Sequence, residues 1–374
     1  MKKILIYFTS VTGHNIEFIH HLYMGAMKRG VEAVFVVPAT YEQQKSLFDW
    51  PSCPHIRFDL MPMAEVGSLA DSIWKKSWRF SRLLRRYMDK NGIKTAFVAD
   101  LLGLMPFLPL FMPVKYAIHG LIFNIYLYRW HTRARYKSLI EASIHWLMKI
   151  TPAIKRIYVG NDSAAPKYLN RLFKTEKYLY IPDPVNDIEV AFCDMREKYG
   201  VSADKKILYH FGAMGGRKGT IQILESIALL PEEEAKRYCF VFAGVVQETK
   251  AFYDALEKVK DKCQILVFDQ FCEFEFIAQW CQCCDAILMP YTQTHMSSGV
   301  IGYGAKYGKP LLGPGSGLIG KLMRRYHLGI TLESISGETL SKAYAALFCQ
   351  YAPQREYMKQ NSTGRFCDVV YELH

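Results

Sequence analysis

The chain opens on an unbroken apolar run, Lys3–Phe8, then a short polar loop, Thr9–Gly13, and a stretch with helical periodicity from Ile16 to Lys28. Gly30 ends that stretch, and a second apolar run follows from Val31 to Pro38. This order predicts a βαβ unit, and strands without polar alternation belong to a parallel sheet covered on both faces. Further strands are expected at His55–Leu60, Thr95–Asp100, Lys115–His119 and Arg156–Val159, with a long basic helix from about Ser68 to Lys90. At Lys206 the opening pattern restarts: the strand Lys206–Phe211, a glycine-rich loop, the helix Ile221–Leu230 and the strand Cys239–Ala243. Strands at Gln264–Phe268, Ala286–Met289 and Pro310–Leu312 complete it. Two doubly wound α/β halves follow, joined within Tyr180–Ile188, where two prolines and Asn186 punctuate the chain. Two domains also suit a length of 374 residues.

One segment, Thr95 to Tyr128, is apolar enough to suggest a membrane span. Asp100, Lys115 and His119 interrupt it, and Pro106, Pro109 and Pro113 would break a spanning helix. Two buried strands flanking an apolar turn are expected instead. Composition adds that half the residues are hydrophobic and 22% charged, which excludes extended disorder. A formal net charge of +12 points to an anionic partner: a sugar nucleotide, an acidic membrane or a nucleic acid. Ten cysteines without framework spacing, and an opening without a signal-type apolar block, predict a cytoplasmic protein with reduced thiols. The run Cys281–Cys284 has no second cysteine pair at zinc-finger distance, so no metal site is expected.

The most informative stretch is Ile287–Pro314, a strand, a loop, a helix and a second strand. Ser297, Ser298 and Gly299 stand where the strand gives way to the helix. Small residues leave the first amides bare, and a helix N-terminus with bare amides suits a phosphate. A tight turn with no ligand is the plain alternative.

From Lys206 to Leu328 the chain resembles the GT-B glycosyltransferases of the retaining, group 1 type. The resemblance rests on "HFGAMGGRKGTIQILESIALL", "VFAGVVQE", "CDAILMPY", the serine-containing loop and "GLIGKLMRRYHLG". Weaker matches in the first half are the Gly13 loop, "AIHG" at Ala117–Gly120, "YVGND" at Tyr158–Asp162 and "IPDPV" at Ile181–Val185. The resemblance implies two Rossmann-like domains facing a central cleft, an acceptor-side domain at 1–182, a nucleotide-sugar-binding domain at 183–350, and a helical segment, 351–374, returning to the first. It also implies metal-independent transfer of a hexose from a nucleotide-diphosphate donor to a glycan or lipid-linked acceptor, with no cofactor. No Asp-x-Asp stands ready to hold a divalent ion, and no Gly-x-Gly-x-x-Gly follows either opening strand, which disfavours a nicotinamide enzyme.

Transfer leaves negative charge on a pyrophosphate, which fixed cations must meet. Arg217 and Lys218, directly before a helix, are the candidates, together with Ser298 and Gly299. Related enzymes carry Arg after the glycine matching Gly212; here Ala213 stands there, and Arg217 is the proposed substitute. The resemblance also expects two glutamates on the donor sugar and ribose, but His295 and Tyr303 occupy those positions. Both hydrogen-bond to hydroxyls, and with Ser297 they are the sugar or ribose candidates. His119, before Gly120, is the candidate beside the transferred sugar, and Gly13 with His14 forms the first-loop candidate. Two other readings stay open: a GT-B-shaped binding protein without transferase activity, and a sugar-nucleotide epimerase.

The stretches Trp74–Lys90 and Tyr126–Lys137 interleave tryptophan, tyrosine and phenylalanine with lysine and arginine. They are read as a peripheral contact with an anionic membrane at the inner face, against the plain alternative of an amphipathic helix with a solvated basic face. No nucleic-acid motif accompanies them, so nucleic acid is not an expected partner.

Overall fold

The computed structural model describes residues 3–68, 70–123, 125, 135–186, 189–348 and 355–372. The chain divides into two compact units, one made of Met1–Pro184 with Asn361–His374, the other of Val185–Gln360. The first break falls between Pro184 and Val185, inside the proline-punctuated stretch. The second comes ten positions later than the sequence suggested, because Tyr357 still packs its ring against Tyr326 of the second unit, with centroids 5.2 Å apart.

Unit 1 contains a parallel sheet of strands β1 (Lys3–Tyr7), β2 (Glu32–Pro38), β3 (Ile56–Met61), β4 (Thr95–Val98), β5 (Ala117–Ile122), β6 (Ile154–Gly160) and β7 (Tyr178–Ile181), in the order β3-β2-β1-β4-β5-β6-β7. Among the described residues, four helices of eight or more residues connect its strands: α1 (His14–Arg29), α2 (Ile73–Lys90), α3 (Arg135–Ile150) and α4 (Ala165–Phe173). Helix α1 stops at Gly30, whose φ of 61° only glycine adopts freely and whose N–H donates to the Met27 carbonyl. Helix α2 starts five residues later than the sequence pattern suggests, just after Ser72, whose hydroxyl accepts the Lys75 amide. Side chains of α2, α3 and α4 share one apolar cluster with the short helix Leu108–Phe111 and with Leu5, Val34 and Ile118 of the sheet, so these helices cover one face of it. Strand β7 is a correction: it runs straight into Pro182, and the sequence pattern assigned its last two residues, Tyr180 and Ile181, to the linker.

Unit 2 repeats the plan. Strands β8 (Lys206–Phe211), β9 (Tyr238–Ala243), β10 (Gln264–Phe268), β11 (Ala286–Leu288), β12 (Leu311–Pro314) and β13 (Gly329–Leu332) form a parallel sheet in the order β10-β9-β8-β11-β12-β13. Helices α5 (Thr220–Leu229) and α6 (Thr249–Glu257) pack on one face, and α7 (Phe274–Cys283), α8 (Gly299–Tyr307) and α9 (Gly317–Arg325) on the other. The chain then returns to unit 1 as α10 (Thr363–Tyr371), which lies on α1. Gly25 makes that approach close, since a Cβ there would collide with Cys367, and the Tyr371 hydroxyl donates to the Leu22 carbonyl at 2.6 Å. No described helix is long and apolar enough to cross a membrane.

Candidate functional site

In each sheet the strand order reverses next to the first strand, and ligands of open α/β sheets bind at the carboxyl ends there. In unit 2 this point lies between β8 and β11. The chain leaves β8 through Gly212, at φ 91°, and the loop is held on both sides. On one side Met214 donates its amide to the Val245 carbonyl at 2.8 Å, Gln247 donates to the Met214 carbonyl at 2.8 Å, and Gly216 donates to Glu248 Oε1 at 3.2 Å. On the other, Thr292 donates its amide to the Arg217 carbonyl at 3.0 Å and its hydroxyl to the Gly216 carbonyl at 3.0 Å. The Gln247 side chain packs close over Gly215, and Gly219, at φ 69°, is glycine because any Cβ would strike the Pro290 carbonyl.

This scaffold fixes Lys218 in a short turn, Gly216–Lys218, at the start of α5. The side chain folds back under its own loop. Its Nζ donates to the Phe211 carbonyl at 2.8 Å and occupies the space a Cβ on Gly212 would need. The residue is only 8% exposed, and it forms no ion pair among the described residues. Buried charges are ordinarily paired, so an ammonium held by one carbonyl is set for an anion. Arg217 lies above the same aromatic ring as Lys218: their charged ends stand 5.4 and 5.6 Å from the Tyr291 centroid. The Tyr291 hydroxyl in turn lies 3.0 Å from Ser298 Oγ, and Ser298 caps α8 by accepting the Val300 amide at 3.3 Å. The Gly299 amide has no hydrogen-bond partner among the described residues. Two cations and the positive end of a nine-residue helix thus gather around one tyrosine.

Beneath the loop sits His210, fully enclosed. Its Nδ1 is 2.9 Å from the Leu288 carbonyl and its Nε2 is 3.0 Å from Thr220 Oγ1. A carbonyl only accepts, so Nδ1 carries the proton and the Thr220 hydroxyl donates to Nε2. Burial, aided by the neighbouring Lys218 charge and opposed by the bond to Leu288, pushes the imidazole pKa down to about 3. The ring is therefore neutral, and it ties β8, β11 and the first turn of α5 together.

The structure brings Arg217, Lys218, Ser298 and Gly299 to one place. Ser297 and His295 lie half-buried in the loop before α8, whereas Tyr303 points into the core, packed edge-on to Phe211 at 5.4 Å. Tyr291, Thr292 and His210 are the residues sequence reasoning missed. Tyr291 was within reach, because it follows directly on the β11 run that leads into the serine loop.

In unit 1 the corresponding point lies between β1 and β4. Gly13 caps α1 at φ 61° and ψ −133°, with open space where a Cβ would stand. His14 is exposed, its Nδ1 3.4 Å from the buried Glu17. Asp100, which the sequence pattern treated only as an interruption, follows β4 at that carboxyl edge and accepts the Gly103 amide at 3.1 Å. His119 requires a correction of its setting. Strand β5 does not end there but runs on to Ile122, leaving His119 third of six residues and buried. Leu121 and Ile122 continue the apolar run past Gly120, and Gly120 is small because the Leu101 side chain lies where its Cβ would be.

No protein-family model matches the chain, and no curated protein matches it. Solved structures do. A sucrose-phosphate synthase from Thermosynechococcus elongatus superposes with a TM-score of 0.77 at 13% identity, covering 100% of this chain and 98% of that one. HepE from Anabaena, solved with UDP and glucose, gives 0.72 at 13% identity over 100% and 99%. A Listeria monocytogenes protein assigned as a UDP-N-acetylglucosamine 2-epimerase gives 0.67 at 10% identity over 99% and 96%. Together with the two parallel sheets, this likeness defines the class: the chain has the two-domain, Rossmann-like GT-B glycosyltransferase fold.

Proposed function

We propose that the protein is a nucleotide-sugar glycosyltransferase, of retaining group 1 type, that moves a hexose from a nucleoside-diphosphate donor to a glycan or lipid-linked acceptor. The observation that carries this reading is the buried, unpaired Lys218 beside Arg217 and the α8 N-terminus. Charge develops on the leaving diphosphate, and these groups are preorganised to meet it without a metal ion. Ser297 and His295 are assigned to the donor sugar or ribose, with Tyr303 shaping the site from the core beneath, His119 to the transferred sugar, and Gly13 with His14 to the first-loop contact. The acceptor is met at an anionic membrane on the cytoplasmic face, in polysaccharide biosynthesis; the basic and aromatic surface of α2 supports this. An epimerase is the second reading, favoured by the likeness to the Listeria protein; the absence of carboxylates at positions 295 and 303 favours instead a binding protein without transferase activity.

Titration with uridine, guanosine and adenosine diphosphates and their sugars tests the donor site, and product analysis separates the readings. Transfer or hydrolysis of one donor sugar supports the transferase, and an epimeric nucleotide sugar supports the epimerase. Binding without turnover of any donor leaves a ligand-binding protein.

A further inference from the structure

Helix α3 turns Met148, with Ala142, Ile144 and Leu147, toward the core, yet it carries a second apolar stripe on its outer side. Its buried positions include Ser138, Glu141 and His145, while Leu139, Ile140, Trp146 and Ile150 are exposed by 57, 47, 54 and 46%. A helix on a sheet ordinarily turns its apolar stripe inward. The orientation is held from inside: His145 Nδ1 lies 2.8 Å from the Tyr178 hydroxyl on β7, and its Nε2 lies 3.7 Å from Glu141 Oε1 one turn earlier on the same helix. Rolling the helix to hide the apolar stripe would break the contact with Tyr178 on β7 and pull Met148 out of the core, while the Glu141–His145 pair, both on α3, would travel with it. The adjoining α4 extends the surface with Tyr168 and Leu172, both exposed.

Charge selects what covers this surface. Glu141 is the sole carboxylate of α3 and α4, and it faces inward, whereas Lys137, Lys167 and Arg171 are exposed. The α2 helix of the same layer adds a groove of about 520 Å³ in which Trp74, Trp78 and Phe107 stand beside Lys75 and Arg82. Neither cation forms an ion pair among the described residues. Glu65 also lines the groove and pairs with Arg86, and Arg79 pairs with Asp71, but Lys75 and Arg82 leave cations in excess; exposed apolar side chains bordered by an excess of cations match hydrocarbon bordered by anionic headgroups. A second copy of the chain would set these cations against their own kind.

We propose that α3 and α4 insert their apolar stripe into an anionic bilayer, while the α2 groove takes a lipid headgroup phosphate. This deepens the membrane-proximal acceptor reading, on which it rests. The test is co-sedimentation of the full chain with phosphatidylcholine vesicles of graded phosphatidylglycerol content, at low and high salt. Leu139→Asn with Trp146→Asn removes apolar surface without changing charge, and both sites are exposed, so the fold is retained. The double variant is expected to lose roughly tenfold or more in vesicle affinity, and Arg82→Gln is expected to weaken the dependence on phosphatidylglycerol. Unchanged vesicle affinity in the double variant overturns the proposal. So does a salt-independent dimer of the wild type that the double variant abolishes. Nucleoside-diphosphate titration of the same samples reads the donor site separately, so loss of that reading and loss of this one are distinguishable.

Discussion

Lys218→Met separates a group kept for a ligand from one kept for the fold. Methionine fills the same stem but removes the charge. In the ligand-free protein two effects oppose each other: the bond from Nζ to the Phe211 carbonyl is lost, about 1 kcal/mol, while the penalty of enclosing an unpaired ammonium disappears. Unfolding free energy should therefore change by no more than about 1 kcal/mol. With a diphosphate bound the balance differs. An ammonium about 4 Å from a phosphate oxygen, at the effective dielectric of a protein site, attracts it by about 4 kcal/mol. The loss on removing such a donor is on the order of 10²-fold in affinity and turnover. Denaturant unfolding of the free protein and calorimetric titration with nucleoside diphosphate give the two numbers on one sample. A variant that unfolds several kcal/mol more easily yet binds the diphosphate as well as the parent would refute the reasoning and make Lys218 a structural residue.

Other consequences can be measured alongside. The His210 pKa, about 3 when folded, lies below its unfolded value of about 6.5, so its contribution is complete above the latter and is lost as pH falls toward the former. From neutral pH to pH 5 the wild type should lose about 2 kcal/mol from this group, and in His210→Gln that part of the slope should vanish; an identical slope would show that other groups carry it. Tyr291→Phe keeps the ring under both cations but drops the link to Ser298, so diphosphate affinity should fall by roughly threefold to tenfold, and no change would detach Tyr291 from the site. His119→Ala should depress turnover more than affinity for the bare nucleoside diphosphate; equal losses, or misfolding, would make the buried imidazole structural.

Much of the fold is legible because both halves obey one rule: apolar runs for doubly covered strands, helical spacing between them. The restart at Lys206 appears in β8 without a shifted residue. Legibility fails where meaning depends on a distant neighbour. Gly120 reads as a strand end, yet it is a strand member whose smallness answers to Leu101. Gly219 reads only as part of a glycine-rich loop, yet its need for glycine comes from the Pro290 carbonyl of another loop. His210 lies in an ordinary apolar run; its role appears only when Leu288, 78 positions on, supplies the carbonyl. Periodicity revealed α3 no better, since a repeat of apolar positions does not say which way they face.

The bond from Tyr371 to the Leu22 carbonyl joins residues 349 positions apart, with the whole of unit 2 threaded between them. During synthesis, unit 2 is one contiguous segment and can close as soon as it has emerged. Unit 1 cannot. The face of α1 that Phe366 and Cys367 cover stays bare while unit 2 is made, so Phe18 and the groove at Gly25 remain open to chaperones and proteases for that interval. A nascent chain stalled before Asn361 would thus present an unfinished first domain behind a finished second one.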